Sequence, residues 1–259
     1  MEAFVARELG REPTRIVPLA AFATNLVYEV DAGELGLIVK ASPLRDALRA
    51  EAWACARGAE AGLAAPAVLA LAPLGDGSEL SGFIMTRLAG DPIAPGDPAF
   101  RDLGARLRRL HELKLPGFGP LAEAQHTSWL AFLRHICADA GSIAPTALTT
   151  EIEARANALA AVEQGSLCHG DLKYAHILVD GGRLSGVIDW GDALVAEPLF
   201  DVARFAHRAD PASLALLLEG YDPSRALAGE LTWRLPLYSA LWHLIDAIVD
   251  RRLAASRSA

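Results

Sequence analysis

Long apolar runs, cysteine and lysine are all scarce in this sequence of 259 residues. No stretch approaches the roughly 18 uncharged apolar residues that a membrane-spanning helix needs, so we predict no membrane span. The three cysteines, Cys55, Cys137 and Cys168, lie far apart in apolar surroundings, which is typical of reduced thiols. The opening segment "MEAFVARELGREP" lacks the layout of a signal peptide. We therefore expect a cytoplasmic protein.

Basic residues are outnumbered, since 24 lysines and arginines stand against 32 aspartates and glutamates, for a net charge of −8. A nucleic-acid partner would require a basic face, so the composition argues against one. The basic residues are nearly all arginine, and only Lys40, Lys114 and Lys173 are lysines. Because the two cations differ in chemistry, each lysine is a candidate for a specific role.

The first 88 residues carry mostly strand patterns. Five segments are rich in β-branched and apolar residues and are bounded by turn signals: "RIVPLA", "NLVYEV", "GLIVKA", "PAVLALAPL" and "LSGFIMTRL". A helical pattern over residues 43–62, opened by Pro43 and closed by Gly62, separates the third segment from the fourth. This order predicts a five-stranded antiparallel sheet with one inserted helix. The Pro-, Gly- and Asp-rich segment 89–98 is a candidate hinge.

The rest of the chain is mostly helical by pattern. One helix begins with Asp97 as a cap and Pro98 at its first position, and another covers residues 127–140. Thr150 and Glu153 form a capping-box pattern for a third helix that runs to about Gly165. Two short strands around 177–189 interrupt the helices, and the remainder, about 200–255, is helical again. The fold class predicted is α+β.

Acidic and histidine side chains concentrate in the segment "LCHGDLKYAHILVD" (167–180) and the following "GVIDWGD". A hairpin joined by the turn "DGG" would bring Asp171 and Asp189 into one neighbourhood. One acid that accepts a proton and another that holds a divalent cation are what phosphoryl transfer requires. The alternative interpretation is that Asp171 is a turn residue and Asp189 a strand-end cap.

These two segments resemble the catalytic and metal-binding loops of the aminoglycoside phosphotransferase family, whose fold is that of protein kinases. Five other segments resemble landmarks of the family and occur along the chain in the family's order: "GLIVK", "RAEAWACA", "GFIMTRLAG", "LGARLRRLHEL" and "EPLFDVARF". The resemblance implies a bilobal, protein-kinase-like fold. The small antiparallel β-rich lobe with one helix, residues 1–88, would bind nucleotide. The larger, mostly helical lobe, residues 89–259, would carry catalysis and substrate binding.

The resemblance also implies roles for individual residues. Asp171 would be the catalytic base that accepts the proton of a substrate hydroxyl. Asp189 would bind Mg²⁺, and Lys40 would contact the nucleotide phosphates, oriented by Glu51. The alternative for Lys40 is an ordinary strand-end lysine on a solvated edge.

The nucleotide implied is ATP, with GTP as the alternative. In the hinge of the small lobe, the Thr86 carbonyl and the Leu88 amide would hydrogen-bond the purine, with Met85 lining the pocket. Thr24 and Asn25 would lie at the tip of the loop above the phosphates. That loop has no glycine where protein kinases have a Gly-rich loop, and this family does not require one.

Two positions depart from the usual form of the family. His176 stands where an asparagine usually ligates the metal, and imidazole suits Mg²⁺ less well than oxygen does. Macrolide kinases look similar in having histidine there. We hypothesise that His176 still contacts the metal or a phosphate; the alternative is that it only hydrogen-bonds the loop. Lys173 replaces a frequent histidine, and we hypothesise that it contacts the γ-phosphate as a lysine does in protein kinases.

Acceptor-binding candidates lie in the C-terminal part of the chain, where acids and aromatics recur. An acidic, aromatic face would suit a polyamine sugar. The alternative is that the aromatics pack a core and the acids face water. The candidates are Asp192, Glu197, Trp242, Asp246 and Asp250.

The function predicted is nucleotide-dependent O-phosphorylation of a small hydroxyl-bearing molecule, first of all an aminoglycoside-like antibiotic, with antibiotic resistance as the associated role. A macrolide kinase, a choline- or homoserine-like metabolite kinase and a nucleotide-binding pseudokinase are the alternatives. A protein kinase is disfavoured because no activation segment ending in Ala-Pro-Glu follows Asp189. We expect no nucleic-acid or membrane partner and a monomer or homodimer.

Overall fold

The protein is described from a computed structural model that covers residues 1–21, 25–123 and 126–257. The chain forms two compact units, residues 1–93 with 176–191 and residues 94–175 with 192–259. In chain order the helices and strands are α1 (Glu2–Leu9), β1 (Arg15–Ala21), β2 (Leu26–Ala32), β3 (Leu35–Ser42), α2 (Arg45–Glu60), β4 (Val68–Pro73), β5 (Ser81–Thr86), β6 (Asp91–Pro92), α3 (Phe100–Leu110), β7 (Lys114–Leu115), β8 (Gly119–Pro120), α4 (Trp129–Ala140), α5 (Thr146–Ala154), α6 (Ala156–Ala160), β9 (Gly165–Cys168), β10 (Ile177–Asp180), β11 (Arg183–Val187), β12 (Leu194–Ala196), α7 (Pro198–Ala206), α8 (Pro211–Tyr221) and α9 (Ala228–Arg257).

The N-terminal unit contains the predicted five-stranded sheet. All neighbouring strands are antiparallel and their order is β1-β2-β3-β5-β4. Val30, Leu37 and Ile84 project from three of these strands into one core, where Phe4 and Val5 of α1 pack against them. Helix α1 was not predicted from the sequence. Its role is to cover the apolar face of the sheet that α2 leaves open.

A second, three-stranded sheet of the same unit has the order β11-β10-β6. The predicted hairpin is present, and its two turn residues, Gly181 and Gly182, have φ angles of 55° and 75°. Two successive left-handed residues match the twist of the strands they join, and glycine adopts that conformation without strain. Strand β6 lies within the predicted hinge segment and pairs with β10. A functional boundary after residue 88 stays a prediction.

The second unit is mostly helical and is built around aromatic side chains. Trp129 meets Phe200 and Tyr238 edge-on, with ring centroids 5.1 and 5.7 Å apart, and its Nε1 donates to the Tyr238 hydroxyl over 3.0 Å. Such edge-to-face pairs add to the burial of apolar area. A four-stranded sheet of order β7-β9-β12-β8 lies in the same unit. In the described part of the chain, no helix is both long and apolar enough to cross a bilayer.

The capping box predicted at Thr150 and Glu153 is wrong. Helix α5 already begins at Thr146, after Pro145 as its N-cap residue, so Thr150 lies in its middle. The chain enters α5 from the extended residue Pro145, so the helix has already formed before Thr150 is reached. Helix α6 ends at Ala160, and Gly165 begins β9 rather than ending a helix.

Helices α3 and α8 approach backbone to backbone through glycines. A Cβ atom added at Gly104 would lie 2.1 Å from the carbonyl oxygen of Leu217, and one added at Gly220 would lie 1.9 Å from that of Arg101. Both neighbours are backbone atoms, which a rotamer change cannot move aside. Glycine is therefore required at this crossing for packing, although it weakens an isolated helix.

We expect Gly104→Ala to lower the free energy of unfolding by about 1–3 kcal/mol, because overpacking a close helix crossing outweighs the ~1 kcal/mol gain in helix propensity. The matched control is Gly229→Ala in α9, where an added Cβ meets nothing within 4 Å. Urea unfolding of both variants measures the difference. Equal stabilities would mean that the crossing does not constrain α3.

Candidate active site

Lys40 is the centre of a buried ion-pair group in the N-terminal unit. Its Nζ donates to Glu51 Oε1 at 2.6 Å and to Asp189 Oδ1 at 2.9 Å. Glu51 lies on the buried face of α2, which also carries Leu48 and Cys55 at helical spacing. The structure thus brings together three of the residues predicted for nucleotide and metal binding, and Lys40 is not on a solvated edge.

The two carboxylates keep Lys40 charged. Burial alone would lower its pKa, but the charges of Glu51 and Asp189 outweigh burial and raise the pKa above its ordinary value. The lysine is only 8% exposed and Glu51 only 4%. A permanently protonated amine at a shielded position is a group that can bind phosphate oxygens.

The backbone at Asp189 is in the left-handed region, with φ of 64°. Non-glycine residues rarely adopt this conformation, and it costs free energy that neighbouring contacts must offset. The adjacent Trp190 supplies such contacts. Its Nε1 donates to the Val187 carbonyl at 2.9 Å, and its ring lies so close to Gly58 of α2 that an added Cβ would be 2.5 Å from it. The loop that carries Asp189 is therefore held against the helix that carries Glu51.

His176 lies on the other side of the Asp189 carboxylate. Its Nε2 is 3.4 Å from Asp189 Oδ2, while Oδ1 of the same carboxylate pairs with Lys40. The Asp189 side chain is 48% exposed, and that of His176 is 10% exposed. One hard oxygen donor and one imidazole that face each other fit a divalent cation, although the imidazole is a weaker ligand for Mg²⁺ than an amide oxygen.

We expect His176→Asn to strengthen Mg²⁺ binding by about tenfold, because an amide oxygen replaces the imidazole. The measurement is the Mg²⁺ concentration that gives half of the nucleotide-dependent shift in melting temperature. His176→Ala is the comparison and is expected to weaken the metal dependence. If neither variant changed the metal dependence, His176 would not be a ligand.

The catalytic-loop candidate in the second unit is fixed by a fully buried carboxylate. Asp201 Oδ2 accepts from the amide of His169 at 2.8 Å, and its Oδ1 accepts from the amide of Gly170 at 3.0 Å. His111 Nε2 lies 3.2 Å from the same carboxylate, and Tyr221 hydrogen-bonds the other ring nitrogen. Burial alone would raise the pKa of Asp201, but the hydrogen bond with His111 and the charges around it lower it. An ionised acid thus fixes the loop from behind.

Asp171 follows directly in that loop and is held by two cations. Lys173 Nζ lies 2.6 Å from its Oδ2, and Arg204 Nη2 lies 2.7 Å from its Oδ1. Although burial would raise its pKa, the hydrogen bonds from Lys173 and Arg204 lower the pKa of Asp171 to about 2. The carboxylate is therefore ionised at neutral pH and can accept a proton or a hydrogen bond.

The lowered pKa of Asp171 predicts a pH-dependent contribution to stability. The ionic form is favoured in the folded state, so the contribution is complete above the unfolded pKa and disappears as the pH falls through about 2. Because the pKa of Asp171 falls below its reference value of 3.8, this contribution to the free energy of unfolding is about 2 kcal/mol. Urea unfolding should show that the difference in the free energy of unfolding between the wild type and Asp171→Asn narrows from pH 5 toward pH 2.

The control for that series is Asp139→Asn, which removes a surface carboxylate 2.8 Å from Arg252. Exposed pairs of this kind contribute little to stability. A gap for Asp171→Asn that stayed constant with pH would contradict the assignment.

The residues predicted to hold the purine lie at and after the end of β5. Met85 is buried in a small cluster with Leu48 and Phe83. Thr86 is the last residue of β5, and Leu88 packs closely enough on Gly186 that an added Cβ would lie 2.5 Å away. Asn25 is half-buried directly before β2, whereas Thr24 lies outside the described residues. Their contacts with a nucleotide stay predictions.

The five acceptor candidates lie in different surroundings. Asp192 and Asp250 are exposed. Glu197 lines a cavity of about 410 Å³ together with residues such as Arg108, Lys114 and Arg234, and neither Trp242 nor Asp246 is part of that lining. Trp242 packs in the core, as the alternative interpretation has it. It is 5% exposed and stacks on Phe200, with 4.4 Å between the ring centroids.

Two residues of this unit were not predicted as parts of the site. His111 contacts Asp201 and Arg204 contacts Asp171, and each of these partners is distant in the sequence. The signal for Arg204 is a single basic residue in the segment "PLFDVARFA", whose only other charged residue is Asp201. A buried arginine requires an acidic partner, although the sequence does not say which.

The chain is similar to known proteins over most of its length. It matches the model of the phosphotransferase enzyme family over residues 15–234, which is most of its length. The protein belongs to the phosphotransferase enzyme family. The resemblance inferred from the loop motifs is therefore confirmed, as is the expectation of an enzyme that transfers phosphoryl groups to small molecules.

Solved structures confirm the protein-kinase-like fold of the phosphotransferase. The ternary complex of a thermostable mutant of aminoglycoside phosphotransferase APH(4)-Ia with AMP-PNP and hygromycin B is 22% identical, with a TM-score of 0.73 over 98% of this chain and 92% of that chain. A putative fructosamine-3-kinase from Thermobifida fusca is 21% identical, with a TM-score of 0.74 over 99% and 97%. The macrolide 2'-phosphotransferase MphH from Brachybacterium faecium is 20% identical, with a TM-score of 0.65 over 98% and 94%.

A curated sequence relative covers only a short part of the phosphotransferase. The uncharacterized protein YcbJ of Bacillus subtilis is 45% identical over 58 residues, which is 22% of this chain and 19% of that protein. This match spans about a fifth of the relative's length, so it does not indicate which molecule accepts the phosphoryl group.

Proposed function

We propose that this phosphotransferase moves the γ-phosphoryl group of a nucleoside triphosphate to a hydroxyl of a small molecule, with Asp171 as the base. The observation that carries the proposal is the pairing of Asp171 with Lys173 and Arg204, which keeps a shielded carboxylate ionised and oriented. An ionised acid can accept the hydroxyl proton as the oxygen attacks phosphorus in line.

The N-terminal unit supplies the groups for the nucleotide phosphates. Lys40, kept charged by Glu51 and Asp189, would neutralise phosphate oxygens. Asp189 and His176 would hold Mg²⁺, which when bound withdraws charge from the phosphates. For Lys173, the ion pair with Asp171 supports a second role, because an amine next to the base can also contact the transferred phosphoryl group.

The nucleotide proposed is ATP, with GTP as the alternative. Support comes from the structurally similar APH(4)-Ia, which has been crystallised with AMP-PNP and with ADP. In this chain Thr86 and Leu88 would bind the purine through backbone groups, and Met85 would line its pocket. Thr24 and Asn25 would lie near the phosphates.

For the acceptor we propose an aminoglycoside-like compound first, since the APH(4)-Ia complex contains hygromycin B. A macrolide or a small hydroxylated metabolite is the second candidate, and the ion pairs of Asp246 favour it. That carboxylate already contacts Arg204, His207 and Arg208, which leaves it less negative charge to offer to a polyamine. Magnesium dependence, a role in resistance and cytoplasmic location stay parts of this proposal.

A coupled assay of nucleotide turnover against aminoglycosides, macrolides, fructosamines and amino alcohols tests the function. We expect acceptor-dependent turnover by the wild type and a loss of about 10²–10⁴-fold in Asp171→Asn, the usual contribution of a general base. Asp139→Asn, which removes an arginine-paired surface acid, should remain active. Nucleotide binding without transfer to any acceptor would indicate the pseudokinase instead.

A further inference from the structure

Arg204 is a buried cation shared by two carboxylates of the second unit. Its Nη2 and Nε donate to Asp171 Oδ1 at 2.7 and 3.2 Å, and its Nη1 donates to Asp246 Oδ1 at 2.8 Å. The residue is 7% exposed and lies within the buried segment of α7. Because a guanidinium donates from a rigid planar fork, the two carboxylates fix its orientation together.

Helix α9 also holds the guanidinium, through two residues. The ring of Trp242 lies 4.6 Å from its central carbon, and the indole Nε1 is anchored on the Phe200 carbonyl at 2.8 Å. Asp246, one turn further along α9, is itself restrained because His207 and Arg208 contact its Oδ2 at 3.1 and 2.9 Å. The position of Arg204 is thus set by Trp242 and Asp246 of α9 as well as by Asp171.

The orientation of Asp171 depends on this arrangement. Its Oδ1 is taken by Arg204 and its Oδ2 by Lys173, so the plane of the carboxylate is defined at both oxygens. A base that must meet a hydroxyl proton loses rate when it is displaced by even about an ångström. A long, buried side chain is therefore placed where small displacements have large effects.

We propose that Arg204 is a positioning residue for the base Asp171 and that Asp246 of α9 anchors Arg204 for this task. The inference rests on the proposed function, since it takes Asp171 as the base. It changes the interpretation of Asp246 from an acceptor-binding acid to the outer member of a chain that runs from α9 through α7 to the catalytic loop. Acceptors then need not be cationic.

The test compares kcat and the nucleotide KM of Arg204→Gln, Arg204→Lys, Asp246→Asn and the double variant Arg204→Gln/Asp246→Asn with those of the wild type. We expect Arg204→Gln to lower kcat by at least about tenfold while the nucleotide KM stays within about twofold, since only the base is misplaced. Arg204→Lys should recover part of the loss. The double variant should be no worse than Arg204→Gln alone, because both changes break one chain of contacts.

The matched control is Arg252→Gln, which breaks an arginine–aspartate pair of α9 at the surface, 2.8 Å from Asp139. It should leave kcat unchanged. Circular dichroism and the melting shift with nucleotide verify folding, and Asp246→Asn, at a less buried position, tests the anchor if Arg204→Gln fails to fold. We expect Asp246→Asn to lower kcat without changing the nucleotide KM.

If the wild type is active and Arg204→Gln changes kcat by less than about twofold, the positioning role is overturned but the proposed function is not. If Arg204→Gln does not fold, the same result for Asp246→Asn overturns the positioning role. If the fold loss of kcat in the double variant equalled the product of the two single losses, the anchoring role of Asp246 would be overturned. A wild type without turnover on any acceptor would overturn the proposed function and, with it, the catalytic role of Arg204.

Discussion

The candidate site depends on keeping charges ionised where water hardly reaches them. A buried lysine loses its proton unless carboxylates compensate for the lost hydration, and Lys40 has two of them. Each carboxylate arrives on a different element, Glu51 on α2 and Asp189 on the loop after β11. The ion pairs therefore do more than stabilise one another, because they require sheet, helix and loop to keep a fixed arrangement. The packing of Trp190 on Gly58 provides that arrangement with apolar contacts.

The same constraint operates in the second unit with the signs exchanged. There the carboxylates are buried, and cations and amides compensate for them. Asp201, with no exposed surface, accepts hydrogen bonds from two backbone amides of the candidate catalytic loop, while Asp171 is compensated by Lys173 and Arg204. One acid fixes the backbone and the next is available for chemistry. Phosphoryl transfer needs groups that are charged and oriented before the substrate arrives, and this protein obtains both through paired burial.

Much of the fold could be predicted from the sequence because the signals were local. Alternating β-branched residues gave the five-stranded sheet, and "DGG" gave the hairpin turn. Helix α1 and the two-residue strands were missed, since short elements owe their form to tertiary contacts rather than to their own pattern. Loop motifs predicted Asp171 and Asp189 as site residues. Arg204 could not be paired in advance, because its partners lie 33 and 42 residues away. Trp242 was ambiguous because aromatics at helical spacing look alike in a core and on a binding face.

We propose above that the chain moves a phosphoryl group from nucleotide to a small hydroxylated acceptor. The most direct measurement follows the label of γ-³²P ATP through a single turnover in the presence of Mg²⁺ and a mixed acceptor panel. We expect label to appear in an organic product in step with the loss of ATP. Label that appears only in inorganic phosphate, or that stays in ATP although the nucleotide is bound, would contradict it.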